Sequence, residues 1–142
     1  MRVLIVEDEA GDARLMEVAL RKSGFAIDLN AVSDGHQALR FMRREGDEFF
    51  RAARPDLILL DLKMPGQGGL DFLGAMKQDE RLRAIPVVVI TTSALEADVF
   101  ASYQCGAAGY VAKPTDINEF IVAIRKLCQY WFQLVRLPEN PE

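Results

Sequence analysis

The sequence has few cysteines and no long hydrophobic run, and both absences exclude classes of protein. Its two cysteines, Cys105 and Cys128, have neither the spacing of metal ligands nor that of a disulfide framework. The longest apolar runs, such as residues 86–90, are far shorter than the roughly 20 residues that span a membrane. The amino terminus also lacks the charged start and long apolar region of a secretory signal. We therefore expect a cytoplasmic protein that does not enter a membrane.

A basic surface of the kind that binds nucleic acid is also missing. The 142 residues include 17 basic and 21 acidic side chains, for a net charge of −4, and half of all residues are apolar. These values are typical of one globular domain without a nucleic-acid partner. Basic residues do cluster between positions 40 and 54, but Glu45, Asp47 and Glu48 lie among them, which is more typical of a solvated face. The cluster consists of Arg40, Arg43, Arg44, Arg51 and Arg54.

Short apolar runs alternate with helical patterns along the whole chain. Residues 3–6, 57–60 and 86–90 are continuous apolar runs, as in strands that are covered on both faces. Residues 25–31 alternate like an edge strand, and residues 109–112 form a fifth candidate. Five β-α units in strict alternation predict an α/β fold with a doubly wound parallel sheet. Residues 43–54 are predicted to be a long polar connection.

Polar side chains follow four of these predicted strands. Glu7 and Asp8 follow the first, Asp61 the third, Thr91 the fourth and Lys113 the fifth. Ligands of open parallel sheets bind at the carboxyl ends of the strands, so these groups are predicted to converge on one site. Each residue alone could be a helix cap or a turn residue, and only their joint occurrence favours a functional site.

Several carboxylates in one place need a proton or a cation. Two carboxylates at ~4 Å repel by about 4 kcal/mol at an effective dielectric constant of 20. Either one keeps its proton, or a hard divalent ion such as Mg²⁺ lies among them. A carboxylate such as Asp61 is a competent nucleophile for phosphoryl transfer. Lys113 and the Thr91 hydroxyl would then stabilise the transferred group.

Four motifs resemble the receiver domain of two-component response regulators. They are Val-Glu-Asp at 6–8, Leu-Leu-Asp-Leu-Lys-Met-Pro at 59–65, Ile-Thr-Thr-Ser at 90–93 and Tyr-Val-Ala-Lys-Pro at 110–114. The spacings between Asp61, Thr91 and Lys113 also match, and the resemblance covers nearly all of residues 2–130. It implies a flavodoxin-like sheet with strand order 2-1-3-4-5, a receiver domain over residues 1–135 and a tail over 136–142.

The resemblance also implies the roles of individual residues. Asp61 would be the phosphoacceptor, with a histidine kinase as the phosphoryl donor. Glu7, Asp8, Asp61 and the backbone carbonyl of Lys63 would hold Mg²⁺, for which Mn²⁺ can substitute. The protein would be no enzyme beyond catalysing its own phosphotransfer and slow dephosphorylation.

On the opposite side of the phosphoryl group, the resemblance implies that Thr91 and Lys113 sense the phosphate. Tyr110 matches the aromatic switch position on the fifth strand. The peptide bond between Lys113 and Pro114 would be cis.

Three features resemble a narrower group, the single-domain regulators that are paired with phytochrome-type kinases. They are the long connection at 43–54, the Thr-Thr-Ser sequence and the Tyr-Trp-Phe end of the last helix. An ordinary receiver with a loop insertion is the alternative. Since only a short tail follows the predicted domain, we expect the output to be a contact with a protein that the sequence does not identify.

Two other functions fit these residues less well. A haloacid-dehalogenase-type phosphohydrolase would carry its nucleophile after the first strand in an Asp-x-Asp-x-Thr run, whereas residues 7–11 read Glu-Asp-Glu-Ala-Gly. A degenerate receiver that acts only as a scaffold would not need the full set of site residues.

The last predicted helix, over residues 116–135, suggests a homodimer. Its ~20 residues would extend about 30 Å, further than the rest of the domain reaches. One face is assigned to the sheet, and a heptad-like flank to a second copy through the helix and tail. The sheet face consists of Ile117, Ile121, Ile124, Cys128 and Trp131, and the flank of Phe120, Leu127 and Leu134, which form the heptad-like seam together with Ile117, Ile124 and Trp131. The fifth strand and the helix before it are expected to contribute to the dimer. A wide core stripe within one copy is the alternative.

Overall fold

The computed structural model describes residues 1–64 and 68–139, and its centre is a parallel sheet of five strands. The strands are β1 (Arg2–Val6), β2 (Asp28–Val32), β3 (Leu57–Leu60), β4 (Val87–Thr91) and β5 (Gly109–Ala112). They lie in the order β2-β1-β3-β4-β5, and every neighbouring pair is parallel. The predicted doubly wound fold and its strand order are therefore confirmed.

Helices connect the strands on both faces of the sheet. They are α1 (Ala10–Arg21), α2 (Gly35–Arg43), α3 (Gly46–Phe49), α4 (Gly69–Gln78), α5 (Glu96–Gln104) and α6 (Ile117–Gln129), and a π-helical segment (Tyr130–Leu134) continues α6. None of the helices in the described ranges is long and apolar enough to cross a membrane. Pro65 of the predicted motif and the last three residues of the predicted tail lie outside the described residues.

The apolar strands build a separate core on each face of the sheet. Neighbouring residues of a strand point to opposite faces. Leu4 and Val6 of β1 therefore pack with α2 and α4, and Val3 and Ile5 pack with α1 and α6. Because a core packs on each face, the strands are fixed in place, and so are the residues that follow them at the edge of the sheet.

Two segments differ from the prediction. Strand β2 begins at Asp28, because Phe25 lies before the ladder and packs into the core next to α1 and α6. The predicted polar connection at 43–54 contains α3, whose Phe49 is buried. Its ring packs edge-on against Phe41 at 5.6 Å, and the Arg40 guanidinium lies 5.4 Å from the ring centroid.

The last helix has the predicted length, and its buried stripe is wider than the predicted sheet face, of which Ile121, Ile124, Cys128 and Trp131 pack into the core. Phe120 and Leu127, which were assigned to the flank, are buried together with Ile124 and Cys128. Ile117, which was assigned to the sheet, is 58% exposed. Most of the heptad-like flank therefore packs inside one copy, because the helix lies across the sheet with this stripe inward.

Candidate functional site

The carboxyl ends of β1, β3, β4 and β5 bring four polar side chains together. Glu7 and Asp61 follow β1 and β3, Thr91 ends β4, and Lys113 follows β5. Because all strands are parallel, these residues meet at one edge, and the exposed fractions of Glu7, Asp61 and Thr91 are only 4%, 6% and 0%. Polar groups that are this strongly buried need partners or a ligand.

The Lys113 ammonium is the centre of the site. Its Nζ donates to Glu7 Oε1 at 2.6 Å, to Asp61 Oδ2 at 2.9 Å and to Asp12 Oδ2 at 3.5 Å. An ammonium has three donors, so each has a carboxylate acceptor. Burial alone lowers the pKa of Lys113, but the hydrogen bonds to Glu7 and Asp61 outweigh it and raise the pKa above its ordinary value. The lysine is therefore a fixed positive charge.

The two buried carboxylates have opposite pKa shifts. Burial raises the pKa of Glu7 to about 7, and neighbouring Asp61 adds to this effect against the opposing contact with Lys113. Burial also favours a higher pKa for Asp61, but hydrogen bonds from the Lys63 backbone amide at 2.9 Å and from Lys113 lower it below the ordinary value. Asp61 is therefore ionised at neutral pH, whereas Glu7 titrates near neutral pH.

Three carboxylates are close enough to share a cation. One oxygen each from Glu7, Asp12 and Asp61 lies within 4.8 Å of the others. Oxygen ligands at this separation suit a hard divalent ion, and its positive charge would offset the unfavourable free energy of burying the Glu7 carboxylate. The residues present therefore fit a divalent metal.

The sequence prediction had named Asp8 for this cluster and had missed Asp12. Asp8 is exposed and lies outside the group of three. Asp12 reaches the site because the Glu9 carboxylate caps α1, accepting from the backbone N–H groups of Gly11 and Asp12 at 3.1 and 2.8 Å. An acidic residue in the first turn of the helix after β1 was the available signal.

The hydroxyl of Thr91 is buried and has no hydrogen-bond partner among the described residues. A buried unpaired hydroxyl is unfavourable by about 1–3 kcal/mol. It lies at the end of β4, between the strands that Asp61 and Lys113 follow, and this position suits a site that a ligand oxygen completes.

Tyr110 lies on β5 and contacts the loop after β4 rather than the carboxylates. Its hydroxyl donates to the backbone carbonyl of Ser93 at 2.8 Å, and the Ser93 hydroxyl in turn donates to Asp98 at the start of α5. The residue thus connects β5 with the segment that follows Thr91.

The prediction of a cis bond between Lys113 and Pro114 was wrong. No peptide bond in the described part of the chain is cis. The trans form agrees with the general preference of X–Pro bonds, and the Lys113 ammonium reaches both carboxylates with this backbone.

Comparisons with known proteins agree with this geometry. The model of the response regulator receiver domain family matches residues 3–125. Response regulator Rcp1 of Synechocystis sp. is 37% identical over 136 residues, which are 96% of this chain and 92% of Rcp1.

Solved structures of response regulators are also similar to this chain. The Mn²⁺-bound form of Rcp1 has a TM-score of 0.89 at 36% identity, with 97% of this chain and 99% of that chain covered. The phosphorylated cyanobacterial phytochrome response regulator RcpA has a TM-score of 0.91 at 36% identity, covering 97% and 98%. The bacteriophytochrome response regulator RtBRR has a TM-score of 0.76 at 40% identity, covering 98% and 84%. The fold, the site at the strand ends and these relatives together show that the chain belongs to the family of response regulator receiver domains.

Proposed function

We propose that this receiver accepts a phosphoryl group from a histidine kinase on Asp61 and then changes its protein contacts. The observation that carries the proposal is the Thr91 hydroxyl, which is buried without a partner among the described residues at the end of β4, the strand next to β3. Asp61 follows β3 and contacts Lys113. A phosphoryl group on Asp61 would bring the oxygen that Thr91 lacks. A haloacid-dehalogenase-type hydrolase is not favoured, because the nucleophile candidate follows β3 rather than β1.

The chemistry follows from the charges of the site. A carboxylate oxygen of Asp61 attacks the phosphorus, the bond from phosphorus to the donor breaks, and the donor leaves with its electron pair. The lowered pKa of Asp61 keeps this nucleophile unprotonated at neutral pH. Lys113 and Thr91 can then offer an ammonium and a hydroxyl to the oxygens of the product.

We propose Mg²⁺ as the divalent ion, with Mn²⁺ as a substitute. Glu7, Asp12 and Asp61 are the carboxylates whose oxygens support this assignment. Asp8 and the backbone carbonyl of Lys63 remain predicted ligands. When bound, the ion would supply positive charge that neutralises phosphoryl oxygens during transfer. Rcp1, a relative along nearly its whole length, has a structure with Mn²⁺.

We propose a phytochrome-type histidine kinase as the donor. RcpA and RtBRR, which share 36% and 40% identity with this chain, are a phytochrome and a bacteriophytochrome response regulator. A cytoplasmic location follows from this proposal, since the receiver must meet the kinase domain. Tyr110 is the proposed switch, because it joins β5 to the segment after Thr91.

The decisive experiment measures acid-labile, base-labile phosphate after incubation with Mg²⁺ and acetyl phosphate or a phosphorylated histidine kinase. The wild type should gain the label and Asp61→Asn should lose it, while Asp28→Asn, an exposed aspartate on β2, should label normally. Labelling of Asp61→Asn at the wild-type level would contradict the assignment. Faster transfer from a phytochrome kinase than from unrelated kinases would support the proposed donor, and equal rates would contradict it.

We also propose a homodimer through the last helix, its π-helical end and the open edge strand β5. A groove of about 470 Å³ lies there between α5 and α6, lined by Tyr103, Tyr110 and Tyr130 among others. Tyr103 and Tyr130 are 50% and 47% exposed, and Leu134 is 76% exposed. Phe132 is covered within the chain by Phe25, with ring centroids 5.9 Å apart, so the proposal does not depend on it.

Light scattering of the full chain at tens of micromolar should give twice the monomer mass. Tyr130→Glu should shift the protein towards the monomer, because burying a carboxylate in an apolar contact is unfavourable. The control is Phe50→Glu, an exposed aromatic residue outside the groove. A monomeric wild type would refute this arrangement.

A further inference from the structure

A second concave region lies at the opposite end of the sheet from Asp61. Its volume is about 320 Å³, and Arg2 at the start of β1 and Arg54 before β3 lie on its wall. The full lining is Arg2, Arg44, Phe50, Arg51, Ala52, Ala53 and Arg54, so that four of seven residues are arginines. No acidic residue belongs to this lining. We name it the arginine basin.

The structure divides the basic cluster of the sequence into two groups. Arg40 and Arg43 have acidic partners, with guanidinium-to-carboxylate distances of 3.7 Å to Glu48 and 3.8 Å to Asp79. These arginines match the expected solvated face. Arg51 and Arg54, which line the basin, belong to the other group.

Three basin arginines have no carboxylate partner within the described ranges. The Arg51 guanidinium lies 5.1 Å from the Phe50 ring centroid, and Arg54 Nη1 donates to the backbone carbonyl of Arg81. Neighbouring Asp56 accepts from the backbone N–H of Arg2 at 2.8 Å rather than from its side chain. Several positive charges therefore converge in a protein whose net charge is −4.

The guanidinium groups of Arg2, Arg51 and Arg54 have no carboxylate partner among the described residues and face one concavity, which suits an anion. Their forked donors match phosphate in particular. Phe50, 56% exposed, adds an aromatic surface on which a base can stack. The volume is at the lower end of the range of about 300–1,000 Å³ for small-molecule sites. We propose that the arginine basin binds a nucleotide, with its phosphates on Arg2, Arg51 and Arg54 and its base against Phe50.

Calorimetric titration of the full chain with ATP and with pyrophosphate tests the proposal. Chelator keeps Mg²⁺-nucleotide out of the carboxylate site, and a salt concentration of about 150 mM screens weak surface attraction. Arg51→Gln should lower the affinity for both anions by about tenfold, the loss of one charge-assisted contact. Arg125→Gln, an exposed arginine on α6, is the matched control and should bind like the wild type.

Two further variants separate the parts of the proposal. Phe50→Leu should weaken ATP but not pyrophosphate, since only ATP carries a base. Asp61→Asn should bind ATP normally, so that the result is independent of the proposed phosphoacceptor. Equal ATP affinity in wild type, Arg51→Gln and Arg125→Gln would overturn the proposal, as would binding of RNA or an acidic peptide without any binding of ATP.

Discussion

The buried Glu7 makes the stability of the metal-free protein depend on pH. In the unfolded chain this carboxyl titrates near its ordinary pKa of 4.5, whereas burial raises its pKa to about 7 in the folded protein. Between these values the folded state binds more protons than the unfolded state, so the free energy of unfolding falls as the pH rises. The Glu7 contribution is fully present below pH 4.5 and is lost as the pH passes about 7.

The size of the effect follows from the same two values. At about 1.4 kcal/mol per pH unit, a rise from 4.5 to about 7 corresponds to at most about 3 kcal/mol. Asp61 and Lys113 add no opposing trend in this interval, because their pKa values are shifted away from it, downwards from 3.8 and upwards from 10.5.

The perturbation is Glu7→Gln, which keeps an oxygen that can accept from Lys113 and removes the titration. Urea unfolding in chelator from pH 4.5 to 8 should show wild-type stability falling by about 3 kcal/mol relative to the variant. The two proteins should be similarly stable at the acidic end, and the variant more stable at pH 8. Glu80→Gln, an exposed glutamate, controls for a change of charge alone. A wild type whose pH profile is parallel to that of Glu7→Gln would refute the reasoning.

Two further predictions concern the same edge of the sheet. A Cβ at Gly69 would lie 2.9 Å from the carbonyl oxygen of Asp61, so Gly69→Ala should displace that backbone and slow phosphorylation. In Gly74→Ala, where the Cβ meets open space on the same helix, the rate should be unchanged and stability should rise by up to about 1 kcal/mol; equal rates in the two variants would contradict the steric argument. Asp8→Asn and Asp12→Asn should each lower the Mn²⁺ affinity, measured by electron paramagnetic resonance, by roughly tenfold, about 1.4 kcal/mol of lost attraction to the ion. Unchanged affinity in either variant would remove that residue from the metal site.

Most of the fold could be predicted from the sequence because burial on two faces leaves a strong pattern. The runs at 57–60 and 86–90 are apolar at every position, as only strands covered on both sides require. Helix α3 left a much weaker pattern, since it has four residues and only Phe49 is buried. A single buried ring in a polar segment cannot be distinguished from an exposed one by periodicity.

The site could be predicted where it depends on strand ends and not where it depends on a helix. Glu7, Asp61, Thr91 and Lys113 meet because parallel strands end at one edge, which the order of the elements already requires. Asp12 joins them only because the Glu9 cap fixes where α1 begins. One residue of difference at a helix start rotates every later side chain by about 100°.

The width of the buried face of α6 was underestimated for a related reason. Its apolar residues form a stripe wide enough for two assignments, and the packing partner decides between them. Contacts with the core that includes Met16 and Leu20 of α1 place Phe120 and Leu127 inward. The sequence contains no information on this choice that is independent of the tertiary structure.

The distribution of partners within the site would let it report the proposed phosphorylation of Asp61. Before phosphorylation the Lys113 ammonium has three carboxylate acceptors, whereas the described part of the chain offers the Thr91 hydroxyl none. A phosphoryl oxygen on Asp61 would have to compete with three carboxylates for the hydrogen bonds of Lys113. The same oxygen would give the buried Thr91 hydroxyl the hydrogen-bond partner that it lacks. The larger gain in hydrogen-bond free energy is therefore expected at Thr91, at the end of β4. The segment after Thr91 leads directly to Ser93, whose carbonyl accepts the hydrogen bond from Tyr110. A change at the phosphoacceptor would in this way reach β5 and the proposed dimer edge through two residues of backbone.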